Sequence, residues 1–532
     1  MNVKISFWLV AMICFAFADT QNDWLDKGKK CVANKQYKQA TQYFLKIIEQ
    51  NSNHFAANYH LFECYAQTNQ NSKATTYLKK ACLIKPSYKI YWQLGNFTEK
   101  HHDDNTAEEA YKECLKHSND AQIYRRLSIV LEAQGNHQDA WQYRVEGVAL
   151  ELPKVRGFKF KSKTPAGVKN RVELKEFLLE ELEKELPAQD AETYMLTLLS
   201  FNMLSEPLDI KSLYISLLTE QIGGFYNPET KRLYLIAEPK KSSLWEQWFP
   251  LTRNDADDRM VLAHEMTHAV QDQYYDLMKL QQASKNDDDI SLALTSLIEG
   301  DATLAMLDYN QWPKRVQSSD EPAFRASFGF MQFLMPFVGG DELAKCPTIM
   351  RESLMFPYID GFFFCLKLRD SSFPWKNINS AYQDPPKSTE QILHPHKYKV
   401  DHPLDFDFDH KLLETKNWKI RATNVMGEFG IRCFLKDLAI KSYKKIAAGW
   451  GGDRYFLMQN SFDNKTALIW LTTWDSEKDA QEFLQAFEKI NSKHQKFATI
   501  YKEKFVFVTK DITPEMQTSF KKMMSKINTK TK

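Results

Sequence analysis

The sequence has no charge excess, no dense set of cysteines and, beyond its first residues, no long uninterrupted apolar run. Lys and Arg total 70 against 68 Asp and Glu, a net charge of +2, so no electrostatic feature calls for nucleic acid or another polyanion as partner. Of the eight cysteines only Cys14 lies in the first 18 residues. The rest are an odd number spread thinly, which excludes a disulfide framework and leaves at least one thiol unpaired. The nearest later approach to a membrane span is Phe328 to Val338, and Pro336 interrupts it. What remains is ordinary globular composition, 43% hydrophobic and 26% charged. A chain of 532 residues is too long for one hydrophobic core, so several domains are expected.

The first 18 residues combine Lys4, an apolar stretch from Ile5 to Phe17 and the pattern Ala16-Phe17-Ala18 before Asp19. This reads as a cleaved secretory signal, residues 1–18, and implies a secreted or periplasmic protein with no integral membrane segment after cleavage. An uncleaved anchor is the alternative, but the stretch falls short of a bilayer span. From 22 to 153 the chain repeats itself: Ala40, Ala74, Ala107 and Ala140 fall 34, 33 and 33 residues apart, each about a turn before a bulky residue, with Leu61, Leu94 and Leu127 in phase. A small residue in every repeat lets one helix of a hairpin approach the next closely, and the bulky one fills the adjoining gap. The pattern resembles the tetratricopeptide repeat, an α-solenoid. That likeness implies a groove for a peptide partner, with a passive spacer as the alternative.

A basic linker, Lys154 to Lys163, leads into helical periodicity after Val172. Gly223 to Ile236 then reads as a β-hairpin turning at Asn227-Pro228. Composition shifts again near Val400. Beyond it come a helix around Glu428 to Ile440, a glycine turn Gly449-Trp-Gly-Gly-Asp453, a strand Ala467 to Leu471, a helix capped by Asp475 or Ser476, a hairpin Thr499 to Val508 and a last helix from Pro514. The expected architecture is multidomain α+β: repeats over 22–153, a mainly helical domain with a hairpin edge over 156–400, and a C-terminal α+β domain over 401–532.

Chemistry concentrates in Val261-Leu-Ala-His264-Glu265-Met-Thr-His268-Ala-Val270, inside a helix whose start is signalled by Asn254 and the acidic run Asp255 to Asp258. Two imidazoles four residues apart share one helical face and suit one zinc ion, while Glu265 can reach a water on the metal as general base. A catalytic zinc takes three protein ligands and leaves one position open, so a third ligand is expected downstream. Glu299 interrupts the apolar run Ile290 to Leu307, where a carboxylate is costly unless a cation satisfies it; a structural ion pair is the alternative. Asp272 and Asp276 follow too closely on the same helix, and Asp287 to Asp289 read as loop. Asp301, about 200 degrees round the helix from Glu299, is at best an outer group. Asp272 is a candidate to hold an imidazole in one tautomer.

The segment His264-Glu-Met-Thr-His-Ala-Val-Gln-Asp272 is similar to the corresponding helix of thermolysin, and a glutamate on a following helix marks the gluzincin metallopeptidases. More widely, Gly224-Phe-Tyr-Asn-Pro228, Glu299-Gly-Asp-Ala-Thr303, Phe356-Pro-Tyr-Ile-Asp-Gly361, Ser388 to Pro395 and Gly449 to Tyr455 resemble segments of a group of exported bacterial metallopeptidases. The likeness spans most of 156–487. It implies one Zn2+ ion on His264, His268 and Glu299, a peptide or protein substrate, and substrate laid along the strand Arg232 to Ala237 as an edge. It also implies a tyrosine or histidine that steadies the oxyanion, from among Tyr274, Tyr275, Tyr358, His394 and Tyr398. His394 is preferred because it precedes Pro395 where an imidazole could overhang a cleft; an exposed loop histidine is the alternative. The sequence departs from thermolysin in the thirty residues between His268 and Glu299 and in Gly300 directly after the glutamate. Two other functions stay open: a repeat-based binding or assembly protein with a structural or inert zinc site, and a zinc hydrolase of non-peptide amides.

Overall fold

The computed structural model describes residues 20–221, 224–236, 255–338, 346–491, 497–524 and 528–531. The expected signal over 1–18, its cleavage point and Asn254 lie outside the described residues. The chain divides into two units, Met1–Glu151 and Leu152–Lys532.

In the first unit helices run over 20–33, Tyr37–Gln50, Phe55–Gln67, Asn71–Ile84, Tyr88–Lys100, Asp104–His117 and Ala121–Ala133, and the helix His137–Arg156 continues past its end. The phased residues carry the packing, since Ala40, Ala74, Ala107, Ala140, Leu61 and Leu127 are fully buried and Leu94 nearly so. Small meets large between neighbouring helices: a Cβ added at Gly28 would lie 2.4 Å from the Phe44 ring, and one at Gly95 2.5 Å from the Tyr111 ring. Cys31 and Cys64 are free thiols packed in this core.

In the second unit strands β1 (Ala166–Lys169), β2 (Gly224–Asn227) and β3 (Arg232–Ile236) form a small sheet of order β1-β3-β2. The hairpin turns where expected, because Asn227 Oδ1 accepts the amides of Glu229 and Thr230 at 2.8 and 2.9 Å. β3 is central rather than an edge, however. The four-residue β1 pairs with it in parallel, and the free edge of the hairpin is β2. The helix Asp255–Tyr275 packs on β2 and β3, Asp288–Gln311 packs on that helix, and Thr348–Leu368 packs on Asp288–Gln311. By length and composition alone Asp288–Gln311 could cross a membrane, yet 72% of its apolar window is buried inside the unit. It crosses Thr348–Leu368 at two glycines. A Cβ on Gly300 would stand 2.1 Å from the Gly361 backbone, and one on Gly361 2.1 Å from the Ser296 carbonyl, so only hydrogen allows the approach.

β4 (Leu404–Asp407) pairs with β10 (Asn528–Thr531). An antiparallel sheet of order β5-β6-β7-β9-β8 comprises β5 (Trp418–Asn424), β6 (Trp450–Asn460), β7 (Thr466–Trp474), β8 (Phe497–Lys502) and β9 (Phe505–Lys510). The segment read as a glycine turn instead opens β6, with a register shift between Trp450 and Gly452. Gly452 has φ +156°, and a Cβ there would meet the Leu404 carbonyl oxygen at 2.0 Å. No break in packing falls near residue 400, where a domain boundary was expected. Phe201 packs edge-on to Trp470 with centroids 5.1 Å apart, and one apolar core holds residues from both sides.

Candidate metal centre

The helix Asp255–Tyr275 turns His264 and His268 to one side, and Asp288–Gln311 brings Glu299 against them. His264 Nε2 stands 3.1 Å from His268 Nε2 and 3.1 Å from Glu299 Oε2, and the His268 Nε2 to Glu299 Oε2 distance is 3.3 Å. A tetrahedral ion with bonds of about 2.0–2.1 Å sets its ligand atoms about 3.3–3.4 Å apart. The three donors therefore already stand at close to coordination spacing. Their electrostatics ask for positive charge. Burial disfavours the charged forms of both residues, yet the carboxylate of Glu299 carries the His268 imidazole up to about 9, and the two imidazoles hold the Glu299 carboxyl well below the usual carboxylate range. His264 is buried, while His268 and Glu299 keep side-chain exposures of 11% and 17%. This donor set fits zinc, and the exposed side leaves room for a further ligand.

Glu265 is 9% exposed. Its Oε2 accepts the Tyr226 amide of β2 at 2.9 Å. Burial raises its carboxyl above the ordinary range, against the lowering effect of the two histidines. Tyr358, on the helix Thr348–Leu368, lies with its ring centroid 6.0 Å from that of His264. Burial, then the charges of Glu299 and Glu265 and a hydrogen bond to Glu299, push its hydroxyl well above the usual tyrosine range. The glycine crossing after Glu299 is what brings this tyrosine near. Gly300, a departure from thermolysin, has its physical reason there.

The preferred His394 is placed differently. Its Nε2 lies 3.1 Å from Glu428 Oε1, and among the described residues no contact joins it to the triad. Tyr274 gives its hydroxyl to the Lys159 carbonyl at 3.0 Å, Tyr275 stacks on Tyr382 at 4.1 Å and Tyr398 bonds the Asp384 carbonyl at 2.6 Å. Of the five candidates Tyr358 is the one beside His264 and Glu299. Asp272 does not hold an imidazole. It takes the Tyr226 hydroxyl and Lys231 Nζ, both at 2.7 Å, and the Leu277 amide at 3.1 Å. The group at His268 Nδ1 is Gln271 Oε1, at 2.9 Å; an uncharged amide one turn away gave no signal in the sequence. A second acidic cluster, Glu390, Asp401 and Asp475, already encloses a cation, Lys397 Nζ, at 2.7, 3.1 and 2.8 Å.

The tetratricopeptide repeat family matches residues 32–95, and a domain of unknown function (DUF8575) matches residues 416–520. Both segments lie outside the triad. No curated protein matches the chain. Among solved structures, one described as the crystal structure of MamA protein is 19% identical, covering 26% of this chain and 77% of that one with a TM-score of 0.23. Another, MamA 41-end from Desulfovibrio magneticus RS-1, is 13% identical, covering 35% and 98% with a TM-score of 0.22. The N-terminal unit is a helical array that carries tetratricopeptide repeats over 32–95, followed in the chain by a unit of helices and sheets.

Proposed function

We propose that the second unit is a zinc-dependent peptidase of gluzincin type, exported from the cell, and that the tetratricopeptide unit holds a peptide segment of a partner or substrate. The observation that carries the reading is the convergence of His264 Nε2, His268 Nε2 and Glu299 Oε2 within 3.1–3.3 Å, with Glu265 next to the first of them. Bound by these three residues, zinc supplies Lewis acidity toward a carbonyl and lowers the pKa of water. Glu265, steadied through one oxygen by the Tyr226 amide, offers its other oxygen to take a proton from the attacking water and to return it to the departing amine. Tyr358 donates its hydroxyl to the oxygen on which charge develops. The repeats support the recruiting role, since stacked helical hairpins present extended concave surfaces. A three-residue donor set with a carboxylate beside it weighs against a purely structural zinc, which takes four protein ligands.

The test profiles the full-length protein on a mixed peptide library, with and without a chelator, beside Glu265→Gln. Cleavage should stop on chelation, and Glu265→Gln should keep its zinc while turnover falls by about two or more orders of magnitude. Cleavage that survives chelation, or wild-type turnover by the variant, overturns the mechanism. Hydrolysis confined to non-peptide amides moves the substrate class instead. Export is tested by terminal sequencing of exported material, which should begin near Asp19; an intact Met1 overturns it.

A further inference from the structure

Resting on the zinc reading of the triad, we infer that Gln271 is a positioning residue that fixes His268 as its Nδ1–H tautomer, and that Asp301 and Arg156 fix Gln271 in turn. The amide of Gln271 has a donor end and an acceptor end. Its Nε2 lies 3.0 Å from the Ile298 carbonyl oxygen and 2.9 Å from Asp301 Oδ2. Both of those oxygens only accept. Both carboxylate oxygens are already turned to donors: Arg156 gives Nε to Oδ1 at 2.7 Å and Nη2 to Oδ2 at 2.9 Å, and Tyr382 adds its hydroxyl to Oδ2 at 2.8 Å. Gln271, Asp301 and Arg156 are all 0% exposed, so no solvent can satisfy a reversed amide. The NH2 end must face Ile298 and Asp301, and the oxygen end must face His268 Nδ1, 2.9 Å away. An amide oxygen there requires a hydrogen on Nδ1. The lone pair of the neutral ring is then on Nε2, the atom that faces His264 and Glu299.

The anchor is rigid at its far end as well. The Arg156 guanidinium lies over the Phe158 and Trp375 rings at 4.8 and 4.5 Å, and the Trp375 indole N–H donates to the Val155 carbonyl at 2.7 Å. A histidine whose second nitrogen is held by an acceptor is oriented and made more basic toward a metal. Asp301, which faces away from the ligands, thus reaches the site through one intervening amide.

The experiment measures zinc affinity by competition with a colorimetric chelator, on full-length wild type, Gln271→Met and Tyr382→Phe, with denaturation midpoints of the metal-free proteins alongside. Tyr382 is a control for packing, because it is buried and bonds the same carboxylate oxygen, yet its loss leaves the Arg156 fork and both donor contacts of Gln271 in place. Gln271→Met should bind zinc about 10–100-fold more weakly, and Tyr382→Phe should stay within about threefold of wild type. In addition, 15N NMR of zinc-loaded wild type with labelled histidine should show His268 bound through Nε2 with a slowly exchanging proton on Nδ1, a readout that needs no variant to fold. Wild-type affinity in Gln271→Met, equal loss in Tyr382→Phe, or coordination through Nδ1 overturns the positioning role alone. A wild type that binds no zinc, or binds it equally well as His268→Ala, overturns the zinc reading beneath it.

Discussion

Glu299→Ala and Asp301→Ala remove carboxylates two residues apart, and they should fail in opposite ways. Glu299 Oε2 stands 3.1 Å from His264 Nε2 and 3.3 Å from His268 Nε2, so its deletion leaves two of three donors. Zinc sites with four protein ligands are worth about 10–16 kcal/mol, roughly 3–4 kcal/mol per ligand, so affinity should fall on the order of 100- to 1,000-fold. The metal-free fold should tolerate the change, because Glu299 is part-exposed and its deletion strands no fixed charge. Asp301 is fully buried against the equally buried Arg156. Its removal strands a guanidinium without a counter-charge, at a cost of about 3–5 kcal/mol, while all three ligands survive and zinc weakens by no more than about 10–100-fold. Zinc is read by elemental analysis after dialysis, stability by urea denaturation of the metal-free protein, and folding by circular dichroism. If folded Asp301→Ala lost the metal and Glu299→Ala kept it, the ligand assignment would fail, and Asp301 would have to replace Glu299 in it.

Tyr358→Phe should lower kcat by about 100- to 1,000-fold with KM and zinc content nearly unchanged, as for a lost oxyanion donor; a raised KM at constant kcat counts against that role. Asp360, which lines a cavity of about 330 Å3 away from the triad, is raised to about 6 by burial, although Arg432, Arg325 and Lys444 oppose the rise. A folded pKa above the unfolded one means the ionised form costs stability, fully above about pH 6 and not at all below about pH 4. Asp360→Asn should therefore stabilise by about 1–3 kcal/mol at pH 8 and by nothing near pH 3.5, and a gain independent of pH refutes the assignment. Gly95→Val should lower the denaturation midpoint by the equivalent of about 1–3 kcal/mol through overpacking against Tyr111; an unchanged midpoint contradicts the close helix contact.

The legible parts of the fold are those whose signal is local. Alanines at 40, 74, 107 and 140 declare the solenoid because each repeat poses the same packing problem. Continuous short runs of branched and aromatic residues likewise declare β7 and β9, whose pairing runs from Leu468 opposite Lys510 to Thr473 opposite Phe505. β1 has no such signal. Ala166-Gly-Val-Lys169 is a strand because β3, beginning at Arg232, offers it a partner edge. Gly449 to Asp453 looks like a turn by composition, but Gly452 admits the Leu404 carbonyl, a neighbour nothing local announces. Arg156 sits in a run of lysines that reads as solvated linker. It is instead a buried charge, because its partner lies 145 residues on.

The site shows the same division, sharpened by charge. His264, Glu265 and His268 are readable because helical spacing alone puts the imidazoles together. Glu299 is readable because a carboxylate in an apolar helix needs a partner. That rule, however, does not separate a ligand from an ion pair, and the same helix buries three other acids. Asp289 accepts the Thr389 amide and hydroxyl, Asp301 takes the Arg156 fork, and Asp308 takes Arg369 at 2.7 Å. Each of those carboxylates is answered by donors or a fixed cation of the chain itself. Among the described residues Glu299 meets His264, His268 and the Tyr358 hydroxyl, groups with no permanent charge. A carboxylate facing two imidazoles at 3.1 and 3.3 Å, with no lysine or arginine paired to it among the described residues, differs in this from Asp301 and Asp308 on the same helix, each held by an arginine.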